Sequence, residues 1–588
     1  MVEFMITKYD LDLMTQLSIH YNIKIEILKE NGTILDVLQG TIVGGSASID
    51  STSSVRRTFS VTLIPTLFDR NDTKISEEGI VWINKELRLY LGVLDLRKQE
   101  YIYYSMGHYV YTNTSGNYDA TTNQLVINCN DYISKLDGTK NGQLGALTTR
   151  IPAYEENPNT GAVIKYNVIR EAMVTVLTQL GYIRNYVVDD IGEYKAMPQN
   201  NDKWQDYRKE NTLWNAIPYD LEFSSGISVL TILEKLRDLY PNYEMFFDTQ
   251  NTFICQMIPS CYRDNIVFSN EFLKSIYVSE NTSTELNKVR NICEVWGKVI
   301  DADFYTENCT YANNLYTCTI NGYDEKYYNG DIVAIKIPSA NSADAKININ
   351  GLGAISIMDE NTDTAIKSNA LEKGVVFVFK IKSKRINNTT VFYAYLLGHW
   401  QAHGLNVLTD GTIGDNYKFS DGTTLKKYSK EYFQKKYNCE SIEFQTIQNS
   451  PFTVQKIGEI LDVKTGGEYE NITSDSLALS RAEWENWKNA RLTDSITLTT
   501  NLVPFYDVNI KVSYQTSDSD RAEQYIIKSV SHDFSSWTST ITMYKFYPLY
   551  DDIVKEMGTH KALSEYKHGV LSKYTHKELE QLIGGENY

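Results

Sequence analysis

Cysteine and proline are scarce in this chain, and each shortage removes a class of protein. Of 588 residues, seven are Cys and 11 are Pro. The cysteines stand at 129, 255, 261, 293, 309, 318 and 439 with no C-x-x-C among them, so a zinc ribbon or a thioredoxin-type redox centre is excluded. Their odd number and loose spacing fit reduced, mostly buried thiols. Positive charge is short as well. With 57 Lys and Arg against 74 Asp and Glu the net charge is −17, and the basic footprint of a general nucleic-acid binder is missing. An acidic wall still suits DNA in transit, because it repels phosphate; plain solubility accounts for the same charge. No run approaches the ~18 apolar residues of a membrane helix. The opening MVEFMITKYDLDLM places Glu3, Asp10 and Asp12 where a signal peptide would carry basic and then apolar residues. Synthesis and assembly in a cytoplasm, with no membrane segment, are expected.

Catalytic signatures are missing too. There is no G-x-S-x-G, and no Cys stands with a convincing His partner. Glu155-Glu156, Asp189-Asp190 and Asp551-Asp552 read as solvated loop carboxylates, without the converging pair that acid–base work needs. Gly351, Gly353 and Ser356 imitate G-x-G-x-x-G without its third glycine, after a polar loop and with no Walker lysine. His399 and His403 have the i,i+4 spacing of a zinc helix. Trp400 stands where that motif needs Glu, and the pair follows a strand ending at Gly398. No catalytic, metal or cofactor-binding residue is assigned, and a non-enzyme is expected.

What is present is a β-rich globular composition. Hydrophobic residues make up 42%, charged residues 22%, and there are 43 Tyr, which favour half-buried strands with wet surfaces. The length is too great for one core, so several domains follow. Ile23, Ile25 and Ile27 alternate before an Asn31-Gly32 turn, and Val508, Ile510 and Val512 alternate in YDVNIKVSYQ. Helices are predicted in LDLMTQLSIH, in AVIKYNVIREAMVTVLTQLGY up to Gly181, in SVLTILEKLRDLY, in the basic and solvated KYSKEYFQKKYNC, and in DSLALSRAEWENWKNARL. In the last, Leu477, Trp484, Trp487 and Arg491 recur at helical spacing, and Ser474 or Asp475 serves as its cap. Thr575 and Glu578 form a capping box in the tail. NYEMFFDTQNTFICQMIP reads as a hairpin turning at Gln250-Asn251.

In CTYANNLYTC, Asn313-Asn314 suits a two-residue primed turn. That register sets Tyr311 opposite Tyr316 and Cys309 opposite Cys318, both as non-hydrogen-bonded pairs. A disulfide fits this geometry, while cytoplasmic synthesis favours reduced thiols.

Several long phrases resemble the baseplate hub (tail-tip, tail-associated) proteins of phages and prophages of Gram-positive bacteria. They are NIKIEILKENGTILDVLQGTIVGGSASIDSTSSVRRTFSVTL, NQLVINCNDYISKLDG, SPFTVQKIGEI, GGEYENI, RLTDSITLT, YDVNIKV and YIIKSVSHDFSS. Between them, ININGLGAISI, the Lys373-Gly374 turn, VVFVFKI and FYAYLLG resemble the small β modules of tail fibres. The resemblance implies a mainly β, multidomain chain with an α+β lobe. Its divisions would be an N-terminal arm at 1–20, a first hub β-barrel at 21–145 and an α+β domain at 146–285. A second hub β-barrel with its helix would take 286–301 plus 441–550, interrupted by a fibre-like or carbohydrate-binding-like β module at 302–440. A C-terminal tail at 551–588 completes the chain. The implied role is structural: a homotrimeric ring in the virion that seats a threefold tip on a sixfold tail tube and lines part of the DNA channel. Tail tube or distal tail protein, tail fibre, tip or tape-measure protein are the implied partners, with DNA met only in transit. Arg56 and Arg57 face opposite sides of a strand, which suits a subunit interface or a contact with the tube; the same pair reads as two solvent-facing cations. The alternative function is receptor or host-wall glycan binding through 302–440, where Tyr323, Tyr327, Tyr328 and Trp400 would stack on sugar rings or else pack between subunits.

Overall fold

The computed structural model describes residues 6–546, apart from 31, 40–41, 65–76, 78, 119–122, 146–148, 157–162, 193–212, 219, 241–242, 259–265, 360–362, 372, 387–388, 440 and 473–474. The tail at 551–588, with its Thr575–Glu578 capping box, lies outside the described residues. The fold is mainly β, as expected, with an α+β lobe and several sheets.

One sheet of thirteen strands draws on both the N-terminal and the C-terminal described strands. Its N-terminal strands are β1 (Tyr21–Leu28), β2 (Ile34–Gln39), β3 (Ile42–Asp50), β4 (Arg57–Leu63), β5 (Glu86–Asp95), β6 (Glu100–Tyr118) and β7 (Asn123–Asp131). Its later strands are β8 (Ile266–Phe268), β9 (Tyr277–Glu285), β10 (Thr493–Asn501), β11 (Lys511–Tyr514), β12 (Glu523–Asp533) and β13 (Thr538–Lys545). The residues explain the strands. In β4, Arg57, Phe59, Val61 and Leu63 turn inward while the residues between them stay half-exposed. In β10, Ile496, Leu498 and Thr500 do the same. This period of two builds two cores. Ile25, Phe59, Val61, Leu89 and Ile127 meet in the first; Phe268, Leu498, Val512, Ile527 and Met543 meet in the second.

The two cores belong to two copies of one plan. The first follows the spatial order β3-β4-β7-β6-β5-β1, and the second β9-β10-β13-β12-β11-β8. Both visit these positions in the same chain order. A shift in numbering that is constant within each strand carries the β3–β4 pairs onto the β9–β10 pairs: Ile42↔Leu63 onto Tyr277↔Thr500, and Ser48↔Thr58 onto Ser283↔Ser495. Irregularities fall at matching points, between Ile42 and Gly44 in β3 and between Tyr277 and Ser279 in β9. A second matched pair lies between Tyr111 and Asn113 in β6 and between Ile527 and Ser529 in β12. Bulges re-aim a strand and recur as built features. The plans differ at one edge, where β1 is antiparallel to β5 but β8 is parallel to β11.

Between β9 and β10 the chain builds two further bodies. A four-stranded sheet runs in the order Ile442–Thr446, Gln401–Thr409, Ile292–Val299, Leu461–Lys464. A nine-stranded sheet occupies 304–399. The strand in 286–301, expected to open the second barrel, thus pairs elsewhere. The reason lies in its side chains: Ile292 to Val295 are all buried, which needs cover on both faces. Helix Lys430–Tyr437 covers one face and helix Asp475–Asn489 the other. Helix 430–437 is therefore not merely solvated, because Tyr432 and Phe433 are core residues. Helix 475–489 presents Ala478, Ala482, Glu485 and Asn486 to the sheet, and its Trp484 and Trp487 are half-buried and stacked on each other with ring centres 5.5 Å apart. The expected aromatic face is replaced by a small one because the helix comes very close. A Cβ at Gly404 would stand 2.4 Å from the Leu479 nitrogen.

The α+β lobe packs helices Ile169–Thr175 and Val229–Arg237 against the Tyr243–Phe247 and Phe253–Met257 hairpin. That hairpin turns at Asn251, which takes φ of 64°. The N-terminal helix spans Lys8–Met14, earlier than LDLMTQLSIH suggests, because Thr7 and Asp10 form a capping box there.

Candidate assembly site

Arg56 and Arg57 lie inside the chain, at 3% and 1% exposure. The sequence reading put at least one of them on an outer face; the structure turns both into a joint between distant segments. Arg56 donates from Nη2 to Glu244 Oε2 at 2.5 Å, with its guanidinium 4.0 Å over the Phe246 ring. Glu244 also accepts from Asn509 Nδ2 at 2.6 Å and from Gln256 Nε2 at 2.9 Å. Lys528 of β12 donates to Asn509 Oδ1 at 2.9 Å. Arg57 donates to the Phe247 carbonyl and to Asp507. Its backbone N–H donates to Asp131 Oδ2 at 2.9 Å. First unit, α+β lobe and second unit thus meet at one buried ionic cluster. Burial works against the Arg57 cation, but the charge of Asp507, with Asp131 and Asp248, outweighs it and raises the pKa. Burial raises the Asp131 carboxyl to about 6, against the Arg57 backbone donor, and burial lowers the Lys528 ammonium. The partners of Arg56 and Arg57 lie 188 and 450 residues away, so no local spacing could have announced them.

Beside this cluster, the two six-stranded units join strand to strand. β3 pairs with β12 from Ser46↔Asp533 to Asp50↔Ser529. Ser51 N donates to the Lys528 carbonyl at 3.0 Å, and Phe534 N to the Gly45 carbonyl at 3.0 Å, closing the two ends of the joint. The counterparts of these strands end the pattern elsewhere. β9 pairs with β10 on one side, and among the described residues no strand pairs with its other side. β6 pairs with β5 only as far as Val110, so its stretch from Thr112 onward has β7 on one side and no described strand on the other. β9 is exposed along almost its whole length. The sequence analysis missed β9 because YVSENTSTE is polar on both faces and has no burial period.

The aromatics of the nine-stranded sheet divide. Tyr323 and Tyr327 are core residues, Tyr323 donating to Asp331 Oδ2 and Tyr327 to the Gly353 carbonyl, each at 2.8 Å. They cannot stack on a ligand. Tyr328 and Trp400 are exposed at 42% and 40%, and Trp400 lies 5.3 Å from the ring of exposed Tyr305. Cys309 and Cys318 sit opposite each other as the turn predicts, with Asn313 and Asn314 both at positive φ, and their sulfurs are joined, where cytoplasmic synthesis had favoured free thiols. His403 is held by Glu294 at 2.9 Å under a stacked Trp296, and His399 lies 3.2 Å from Asp475. Both histidines lie on strands, not on a zinc helix. Among the described residues no His, Cys, Asp and Glu group forms a metal-binding set, and no helix is long and apolar enough to cross a membrane.

Residues 449–550 match a family described as a domain of unknown function (DUF5048). No curated protein matches the chain. Among solved structures, the chain is similar to the tail protein from Neisseria meningitidis MC58, with 7% identity, 90% of this chain and 98% of that one covered, and a TM-score of 0.40. It is similar to the 43 kDa tail protein of prophage MuSo2 from Shewanella oneidensis, with 9% identity, coverage of 90% and 98%, and a TM-score of 0.39. It is also similar to the prophage tail protein gp18 from Listeria monocytogenes EGD-e, with 9% identity, coverage of 92% and 98%, and a TM-score of 0.35. These are loose likenesses of chain path.

Proposed function

We propose that the chain is a structural component of a phage or phage-like tail tip: a baseplate hub that forms a homotrimeric ring. Its work is mechanical. The ring would hold the end of a sixfold tail tube, carry a threefold tip or fibre, and line part of the channel through which DNA passes. It would belong to the virion, assembled in the host cytoplasm, with tube or distal tail protein and tip or tape-measure protein as partners. The observation that carries this reading is the repeat. Two units of one plan, with matching bulges and joined edge to edge, supply two similar lobes per chain, and three chains then supply six. We divide the chain accordingly into a first barrel ending near Asp131, an α+β lobe, and a second barrel of β8–β13 split by everything from 286 to 492. Mass measurement and negative-stain imaging of the purified chain test the proposal. A threefold ring is expected; a protein that stays monomeric at micromolar concentration overturns it.

A second reading is host-glycan binding by the 304–399 sheet, favoured by the exposed Tyr305–Trp400 pair. Aromatic faces of this kind pack against sugar rings. Trp400→Ala in the full chain should then abolish retention on host cell-wall polysaccharide, and equal retention of both proteins sinks this reading.

A further inference from the structure

The intrachain joint is a template for a contact the chain makes outside itself. The shift that carries β3 onto β9 carries Ser46–Asp50 onto Asn281–Glu285. The matched bulges carry β12 Ser529–Asp533 onto β6 Asn113–Asn117. Those two stretches are the edges that, among the described residues, have no strand partner. A strand edge with its N–H and C=O groups unpaired is a template for another strand. Native chains blunt such edges with Lys, Pro or an inward charge; the β9 sequence YVSENTSTE has neither Lys nor Pro, and its inward charge, Glu280, is already held by Lys274 and Tyr514 within the chain and precedes the stretch 281–285.

We propose that β9 of one copy pairs antiparallel with β6 of a second copy, from Asn281 opposite Asn117 to Glu285 opposite Asn113, repeating the β3–β12 joint between chains. The inference rests on the ring reading and names the surface that closes the ring. The occupant is a second copy because the intrachain joint already displays the fit, bulge for bulge. The bonds at the two ends follow from the template: Leu286 N donates to the Thr112 carbonyl, and Tyr118 N to the Glu280 carbonyl, as Ser51 N does to Lys528 and Phe534 N to Gly45. A β9–β9 pairing would make an isologous twofold dimer; the β9–β6 pairing is heterologous, the kind of contact a closed ring requires. Alternation along the template fixes the bonding. Ser51 and Lys528 form a hydrogen-bonded pair, so Asp50 and Ser529 form a non-hydrogen-bonded one, where side chains come closest. Glu285 and Asn113 inherit that close position, and Thr284 inherits an outward N–H.

Disulfide trapping in the full chain tests the register. Asn113→Cys with Glu285→Cys is expected to give a covalent trimer on a non-reducing gel, released by reductant. Asn113→Cys with Leu286→Cys, slipped by one residue, is expected to give none. Thr284→Pro removes an outward donor and leaves the β10 side of β9 bonded, so it should weaken the trimer about tenfold or more while the far-UV spectrum stays that of the parent. If the unmodified chain is a trimer, and neither the matched pair cross-links nor Thr284→Pro weakens assembly, the edge assignment is overturned and the ring stands. Equal cross-linking of the slipped pair overturns the register and the edge assignment with it. If the unmodified chain is monomeric throughout, the ring reading fails, and this inference with it.

Discussion

Replacing Glu244 by Ala perturbs the buried cluster at its centre. The carboxylate is 6% exposed and accepts from Arg56, Asn509 and Gln256. Its removal leaves the Arg56 guanidinium, 3% exposed, without its ion-pair partner. Breaking one side of a buried pair costs about 3–5 kcal/mol, mostly because the surviving charge stays desolvated. Removing both charges is a different perturbation. Arg56→Met with Glu244→Leu leaves no unpaired charge from this pair, although the Asn509 and Gln256 amides still lose their acceptor, and it should recover at least ~2 kcal/mol of the single-variant loss. The assay is urea denaturation of Glu244→Ala and of the cycle formed by the parent, Arg56→Met, Glu244→Leu and the double variant, with hydrogen exchange on Tyr243–Phe247 to locate the loss. Exchange matters because a chain with several cores need not unfold in one step. The expected result is early exchange of that strand in Glu244→Ala and its recovery in the double variant. A Glu244→Ala protein within about 1 kcal/mol of the parent, or a double variant as damaged as the sum of the singles, would refute the reasoning.

His532 is fully buried, and burial depresses its pKa to about 4, against an ordinary value of 6.5. The unfolded chain then binds more protons between those values, so stability falls as pH drops from about 6.5 to about 4. His532→Gln should reduce the slope of that limb by up to about 1.4 kcal/mol per pH unit, measured by denaturation at a series of pH values. An unchanged slope counts against it. Asp131, raised to about 6, has the opposite sign: its contribution grows as pH falls, so Asp131→Asn should steepen the same limb. Gly404→Ala drives a methyl group into the backbone of helix 475–489, with the nearest atom 2.4 Å away, and should destabilise the four-stranded body by roughly 1–3 kcal/mol. Thermal denaturation checks this, and a transition equal to that of the parent contradicts the close approach.

Local patterns were legible where one face of an element is buried. The alternation of Ile23, Ile25 and Ile27 in β1, the Asn251 turn and the Asn313-Asn314 register all follow from a few adjacent residues. Reading failed where a partner far along the chain decides the outcome. Helix 475–489 offers two Trp at helical spacing, yet Gly404, more than seventy residues earlier, lets the Ala face approach instead. The 286–301 strand reads equally well as a barrel strand and as the centre of a two-faced sheet, and only helices 430–437 and 475–489 decide between them. Arg56 and Arg57 were visible as an oddity. Their destination was not, since charge complementarity has no sequence period.

The repeat was hidden for a related reason. β3 and β9, IVGGSASID against YVSENTSTE, agree only at Val43/Val278 and Ser48/Ser283, yet both bulge after their first residue, leaving Val43 and Val278 exposed at 50% and 51%. The backbone plan is kept while the side chains diverge according to what each edge meets. The clearest divergence falls beside the joint itself. Ile49 pairs with Arg57 in the first unit, and the matching Thr284 pairs with Asp494 in the second. Lys528, the bulged residue of β12, corresponds to Thr112 in β6. The joint inside the chain is thus locked by a buried ionic cluster that costs several kcal/mol to break from one side. The joint we infer between chains keeps the same strands and bulges but has Thr and Asp where the cluster had Arg and Lys. Backbone pairing without a buried ionic lock can form after each chain has folded, because no network of buried ion pairs has to be put together at the moment of assembly. The internal joint, made once during folding, has no such constraint.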